Sequence, residues 1–256
     1  MHPDIRSPDP GKCPLCSMEL MRIPAPTRGA YELDATQIPR VSGKGTKALR
    51  IQIRHPETGL PVTAFSEIHE RALHLFIIGR DLSFFAHVHP EKTDSGFELP
   101  VDLPSGAYVL VADFVPETGA PQLVQRAIVT PGFESSPFTT ADVKPDLTDK
   151  HVDGVRISLD AEVKPQRESV LRFTVRDDVS GAALTDLEPY LGAAGHLMIV
   201  NPELTVAIHA HPEGRTTAGP EVVFGPILPG PGVYKMWVQF QRKGAVLTAP
   251  FAVVAR

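Results

Sequence analysis

One pattern of twenty residues occurs twice in this chain and constrains its fold more than any other feature. Ala72 to Glu91 reads ALHLFIIGRDLSFFAHVHPE, and Ala194 to Glu213 reads AGHLMIVNPELTVAIHAHPE. The offset is 122 residues at every histidine, so His74, His87 and His89 stand in register with His196, His209 and His211. Six of the ten histidines therefore belong to one duplicated device. A repeat at this spacing implies two copies of one domain, and 256 residues suffice for two hydrophobic cores.

Each copy reads as β-structure. Ala48 to Arg54 alternates apolar and polar residues with period two, as a half-buried strand does. Leu73 to Ile78 and Leu82 to His89 are two further strands joined by a short turn at Gly79-Arg80-Asp81. Gly96 to Leu99, Ala107 to Phe114 and Leu123 to Val129 follow, each bounded by turn residues. The second copy starts over with Val155 to Leu159 and Val170 to Arg176. Its Pro229-Gly230-Pro231-Gly232-Val233-Tyr234 matches Pro104-Ser105-Gly106-Ala107-Tyr108. Short strands separated by frequent turns predict an all-β protein built from two tandem immunoglobulin-like or cupredoxin-like β-sandwiches. Short helical turns are expected at Ser66 to Arg71 and Leu187 to Leu191. The resulting organisation is a segment over 1–22, a proline-rich linker over 23–29, a first sandwich over 30–133, a linker over 134–151 and a second sandwich over 152–256.

The first 22 residues are too poor in apolar side chains to fold by burial alone. Cys13-Pro14-Leu15-Cys16 presents two thiolates from one tight turn, and His2 and Met18 add nitrogen and soft sulfur donors, so a metal ion is the natural staple. These are the only two cysteines, and such a pair is more often a metal or redox site than a structural disulfide.

In a strand, residues two apart point the same way. His87 and His89 therefore share a face opposite Phe84, Ala86 and Val88, as His209 and His211 do opposite Val206, Ile208 and Ala210. A hairpin between the two flanking strands sets His74 across from His87 or its neighbour, so three imidazoles can converge. Three neutral imidazoles suit copper or zinc and leave a fourth position open. The competing reading is structural: the rings close a strand by bonding to backbone carbonyls or to carboxylates such as Glu91 and Glu213. His55, His69 and His151 have no counterpart in the other copy and read as surface histidines.

The opening residues resemble the small bacterial heavy-metal-binding domain of copper-transporting ATPases and copper-efflux adaptor proteins. Met1-His2-Pro3-Asp4, Pro10-Gly11-Lys12-Cys13-Pro14-Leu15-Cys16 and Met18-Glu19-Leu20 carry the likeness. Ser17 stands where that family has glycine, and the family's first cysteine would fall just before Met1, which implies a longer precursor or a start codon inside the motif. The repeats are similar to domains of bacterial secreted or periplasmic proteins of uncharacterised function that share the His-x-His-Pro signature. Together the resemblances imply an exported protein handling copper, as Cu+ or Cu2+, or zinc, with a metal-efflux or resistance component as partner.

A net charge of −5 with scattered lysines and arginines argues against a nucleic-acid partner. No apolar run is long enough for a helical membrane span. Two other function classes stay open. One is a copper-dependent redox enzyme, against which stands the lack of any cysteine in either repeat. The other is a β-sandwich scaffold in which only the N-terminal segment binds metal. A non-enzymatic metal-binding protein is the leading expectation, and the oligomeric state is not legible.

Overall fold

A computed structural model describes residues 30–39, 47–133, 142–212 and 218–256. The chain divides into two compact units, one within Arg22–Ala141 and one within Asp142–Arg256. No helix forms among the described residues. The expectation of an all-β chain with two tandem sandwiches holds.

In the first unit, β1 (Glu32–Pro39), β2 (Lys47–Arg54), β6 (Glu91–Thr93) and β7 (Gly96–Pro100) form one antiparallel sheet in the order β1-β2-β7-β6. The facing sheet holds β4 (Leu73–Gly79), β5 (Phe85–Val88), β8 (Ala107–Pro116) and β9 (Gln122–Val129) in the order β5-β4-β8-β9, with the two-residue β3 (Phe65–Ser66) also paired to β8. Lettered along the chain, these sheets are ABED and C′CFG, the strand order of an immunoglobulin-type sandwich. The second unit repeats it. There β11 (Val155–Glu162), β12 (Val170–Asp177) and β15 (Glu221–Phe224) make one sheet, extended by β10 (Lys150–Val152) beside β11. β13 (His196–Val200), β14 (Ala207–Ala210), β16 (Gly232–Arg242) and β17 (Ala245–Ala255) make the other.

Period-two burial drives both cores together. In the first unit, Leu49, Ile51 and Ile53 on β2 meet Leu73, Leu75 and Ile77 on β4 and Leu110, Ala112 and Phe114 on β8. In the second, Phe173 packs edge-to-face against Phe224, Phe240 and Phe251. Each such ring or aliphatic chain removed from water contributes about 1.5–3 kcal/mol. Gly96 shows how tightly the first sheet is drawn. It adopts φ +139°, and a Cβ there would come within 2.3 Å of the Ile51 carbonyl oxygen.

A repeated tyrosine locks each sandwich. Tyr108 donates its hydroxyl to the Pro104 carbonyl at 2.9 Å, and Tyr234 donates to Gly230 at 3.0 Å. A buried tyrosine early in strand F that bonds back to the chain four residues upstream is the tyrosine corner of such folds. Burial, reinforced by the Asp81 carboxylate, pushes the Tyr108 phenol's pKa up, so the group stays a donor.

Several local expectations need correction. Ser66 to Arg71 and Leu187 to Leu191 hold no helical turn. Their ends are two-residue hairpins in which Ile68 bridges Arg71 and Tyr190 bridges Ala193. The strand read over Leu82 to His89 begins only at Phe85. Leu82 sits at φ +62° in a wide turn, with Ser83 N bonded to Asp81, and Leu204 at φ +55° repeats the device. Residues 142–151, read as linker, already belong to the second unit. Asp146 exchanges backbone hydrogen bonds with Ala252, and its carboxylate accepts from Lys150 Nζ and Thr148 Oγ1, both at 2.6 Å.

Two outcomes follow from these contacts. Tyr234→Phe leaves the Gly230 carbonyl without its tyrosine donor and should lower unfolding stability by about 1–2 kcal/mol in chemical denaturation, with the β-type circular dichroism unchanged. The hydrogen bonds from Lys150 and Thr148 hold the Asp146 pKa down at about 2. A lowered folded-state pKa stabilises the protein above the unfolded value, and that contribution is lost as pH falls from about 4 toward 2. In thermal melts across this window, Asp146→Asn should show a shallower loss of stability than the parent chain.

Candidate metal centres

Each triad is assembled by the C–C′ hairpin of its sandwich. In the first unit Leu75 pairs with Val88 and Phe76 with His87, which fixes the antiparallel register of β4 against β5. Phe76, rather than His74, is thus the direct neighbour of His87, and its ring stacks on that imidazole at 4.2 Å. His74 lies farther along β4, beyond the last pair, where His89 emerges from the end of β5. In the second unit Met198 pairs with His209 and Leu197 with Ala210, so His196 and His211 occupy the same relative places.

The three rings of each copy converge. His74 Nδ1 lies 3.0 Å from His87 Nε2, and His89 Nε2 lies 3.2 Å from that same His87 nitrogen. In the second copy His209 Nε2 and His211 Nε2 both stand 3.1 Å from His196 Nδ1. These are the groups of ligating side chains found close enough to share one metal ion among the described residues. The triads are not open surface features: His74 and His196 are only 2 % and 1 % exposed, His211 is 8 % exposed, and the others are half-buried.

A backbone carbonyl aims the first ring. His74 Nε2 bonds to Ile68 O at 2.9 Å, and His196 Nε2 bonds to Tyr190 O at 2.9 Å. A carbonyl oxygen only accepts, so in the neutral ring Nε2 carries the hydrogen and Nδ1 directs its lone pair into the triad. This is the outer-shell contact that sets the tautomer of metal-ligating histidines. Both carbonyls come from the tight hairpins, whose central residues, His69 with Glu70 and Leu191 with Gly192, all have positive φ. Two consecutive left-handed residues define the type I′ turn, whose twist matches the adjoining strands.

Sequence reasoning missed this element. His69-Glu70 lacks the Asn-Gly or Asp-Gly signal of such turns, and a main-chain acceptor leaves no mark on residue type. Glycine at 192 is the one hint.

The fit to a metal can be judged from these distances. Two nitrogens held about 2.0–2.1 Å from one zinc at the tetrahedral angle sit roughly 3.3–3.4 Å apart. The observed spacings need open by only a few tenths of an ångström. Hydrogen bonding serves the triad less fully: His196 Nδ1 has one lone pair for two approaching rings, whereas a central cation accepts a pair from all three. The carboxylate alternative fares worse in the first copy, where Glu91 is exposed on β6 and pairs with Glu98. Glu213 lies outside the described residues, as do His2, Cys13, Cys16 and Met18. His151 bonds to Asp178, and His55 accepts from the Glu57 backbone, while the His69 ring stands edge-on to His74 at 6.3 Å.

Comparison with known proteins bears on both parts of the chain. Residues 1–23 match the model of a heavy metal binding domain. No curated protein matches the chain. Among solved structures, a segment of two fibronectin type III domains from chicken tenascin aligns at 12 % identity, over 87 % of this chain and 99 % of its own, with a TM-score of 0.24. A second family model, described as a domain of unknown function, DUF8832, matches residues 25–129 and again 150–256. That match covers most of the chain, in the two stretches that each carry a histidine triad, and the protein belongs to the DUF8832 family.

Proposed function

We propose that this protein binds copper in the bacterial cell envelope, either holding it or passing it to an efflux or resistance component. The observation that carries the reading is the doubled nest of imidazoles, with ring nitrogens 3.0–3.2 Å apart and the first ring of each held in the ligating tautomer by a carbonyl. A side-chain cluster that served only packing has no need of three imidazoles that each bring a ring nitrogen within 4.8 Å of the others.

His74, His87 and His89 would hold one ion, and His196, His209 and His211 another. A bound ion supplies a Lewis-acidic centre with a coordination position left for an incoming ligand, which suits capture and release. Copper is favoured over zinc because the opening segment offers Cys13, Cys16 and Met18, a soft sulfur set, beside imidazoles that accept either oxidation state. Zinc is the alternative cargo. Binding rather than turnover is favoured because both cysteines lie in the opening segment, so neither copy can build the His₂Cys centre of an electron-transfer copper protein. Placement in the envelope rests on the likeness of the opening residues and of the repeats to exported proteins.

Metal analysis tests the reading. Chain saturated in turn with copper, in either oxidation state, and with zinc, then freed of excess ion, should lose bound metal of at least one kind in His87→Ala/His89→Ala and in His209→Ala/His211→Ala, with a further loss in Cys13→Ser/Cys16→Ser. Unchanged metal content in both histidine double variants sinks the assignment of the triads. Fractionation of cells expressing the native gene should place the protein in the envelope, and recovery from the cytosol alone would overturn that part.

A further inference from the structure

We infer that the two triads are specialised for ions of different charge, the His196 copy for monovalent copper and the His74 copy for a divalent ion such as Zn2+ or Cu2+. The inference rests on the metal-binding reading above and concerns what surrounds each set of rings.

The donors are identical, but the surroundings have diverged at matching positions. On strand F, the residue opposite His74 is Asp113, and the residue opposite His196 is Gln239. Gln239 is buried and donates its amide to Thr248 Oγ1 at 3.0 Å. On strand C, two residues past the first histidine, both copies bury the side chain to 1 % exposure, but Phe76 stacks an aromatic ring on His87 where the equivalent Met198, opposite His209, carries a thioether. In the I′ turn, His69 of the first copy is replaced by the buried Leu191. The third ligand follows the same trend, for His89 is half-buried and His211 is buried.

Charge decides what each shell can hold. Three neutral imidazoles cancel none of an ion's charge, and the cost of burying charge rises with its square. A divalent ion in the drier second copy would stand among a neutral amide, a thioether, the uncharged Tyr190 ring edge-on to His196 at 5.0 Å, and apolar side chains. A monovalent ion costs roughly a quarter as much there by that scaling. Met198, opposite His209 in the ladder, also puts a soft thioether on that strand pair, which suits Cu+. Around the first copy, the Asp113 carboxylate offsets one unit of charge, and partial exposure lets water share the rest. Charge compensation and burial cost thus favour the divalent ion at His74 and the monovalent one at His196.

Titration in the full chain carrying Cys13→Ser/Cys16→Ser isolates the triads. Cu+ is delivered without oxygen against a competing chromophoric copper(I) chelator, and Zn2+ against a competing zinc dye. His209→Ala/His211→Ala should abolish the tight Cu+ site and spare the tight Zn2+ site, and His87→Ala/His89→Ala should do the reverse. Asp113→Asn should weaken Zn2+ by about ten- to a hundredfold, as loss of an outer-shell partner does, and leave Cu+ unmoved. Met198→Leu should weaken only Cu+. If each double variant removes both ions equally, or if Asp113→Asn and Met198→Leu leave both affinities unchanged, the specialisation is wrong although the triads still bind metal. If neither double variant loses any ion, the metal-binding reading itself falls.

Discussion

The register of strand C against strand C′ is the constraint on which both fold and site depend. Alternate residues of β4 enter the core as Leu73, Leu75 and Ile77, which leaves His74 and Phe76 on the other face. Along β5 and the residues flanking it, Phe84, Ala86 and Val88 pack inward while His87 and His89 turn out. A slip of one residue would exchange the two faces, burying imidazoles in the hydrocarbon layer and exposing phenylalanine and valine. The apolar core therefore enforces the same alignment that brings the three rings together. Packing energy distributed over the whole sandwich holds the ligands in place, so the site needs little local stabilisation of its own.

Direction comes from a second element, the I′ hairpin before strand C. Its carbonyl takes the outer hydrogen of the first histidine and so decides which ring nitrogen faces the other two. The geometry is preserved although the turn residues differ completely between copies, His69-Glu70 in one and Leu191-Gly192 in the other. Backbone conformation is what the two copies share there, and a main-chain acceptor can be supplied by any residue type, here isoleucine and tyrosine.

Duplication followed by divergence explains the pattern of likeness. The ligands, the wide turn with its left-handed leucine and the tyrosine corner recur at matching positions. What changed is the lining of the site, where Phe76 and Asp113 of the first copy stand against Met198 and Gln239 of the second. The lining can change because the ligands are held by the hairpin rather than by their neighbours.

The sequence by itself determined the all-β architecture, the duplication and the identity of the six repeated histidines, because period-two burial and a constant offset are written in residue types. It also placed His87 and His89, like His209 and His211, on one face. Only the tertiary structure decided that His74 reaches the pair from beyond the last rung of the ladder, that a carbonyl orients it, and that the residues opposite the two first histidines are Asp113 and Gln239. Those facts depend on pairings between strands distant in the chain and on backbone dihedrals at unremarkable residues. Neither leaves a local pattern, since a strand's partner is chosen by the packing of the whole sandwich.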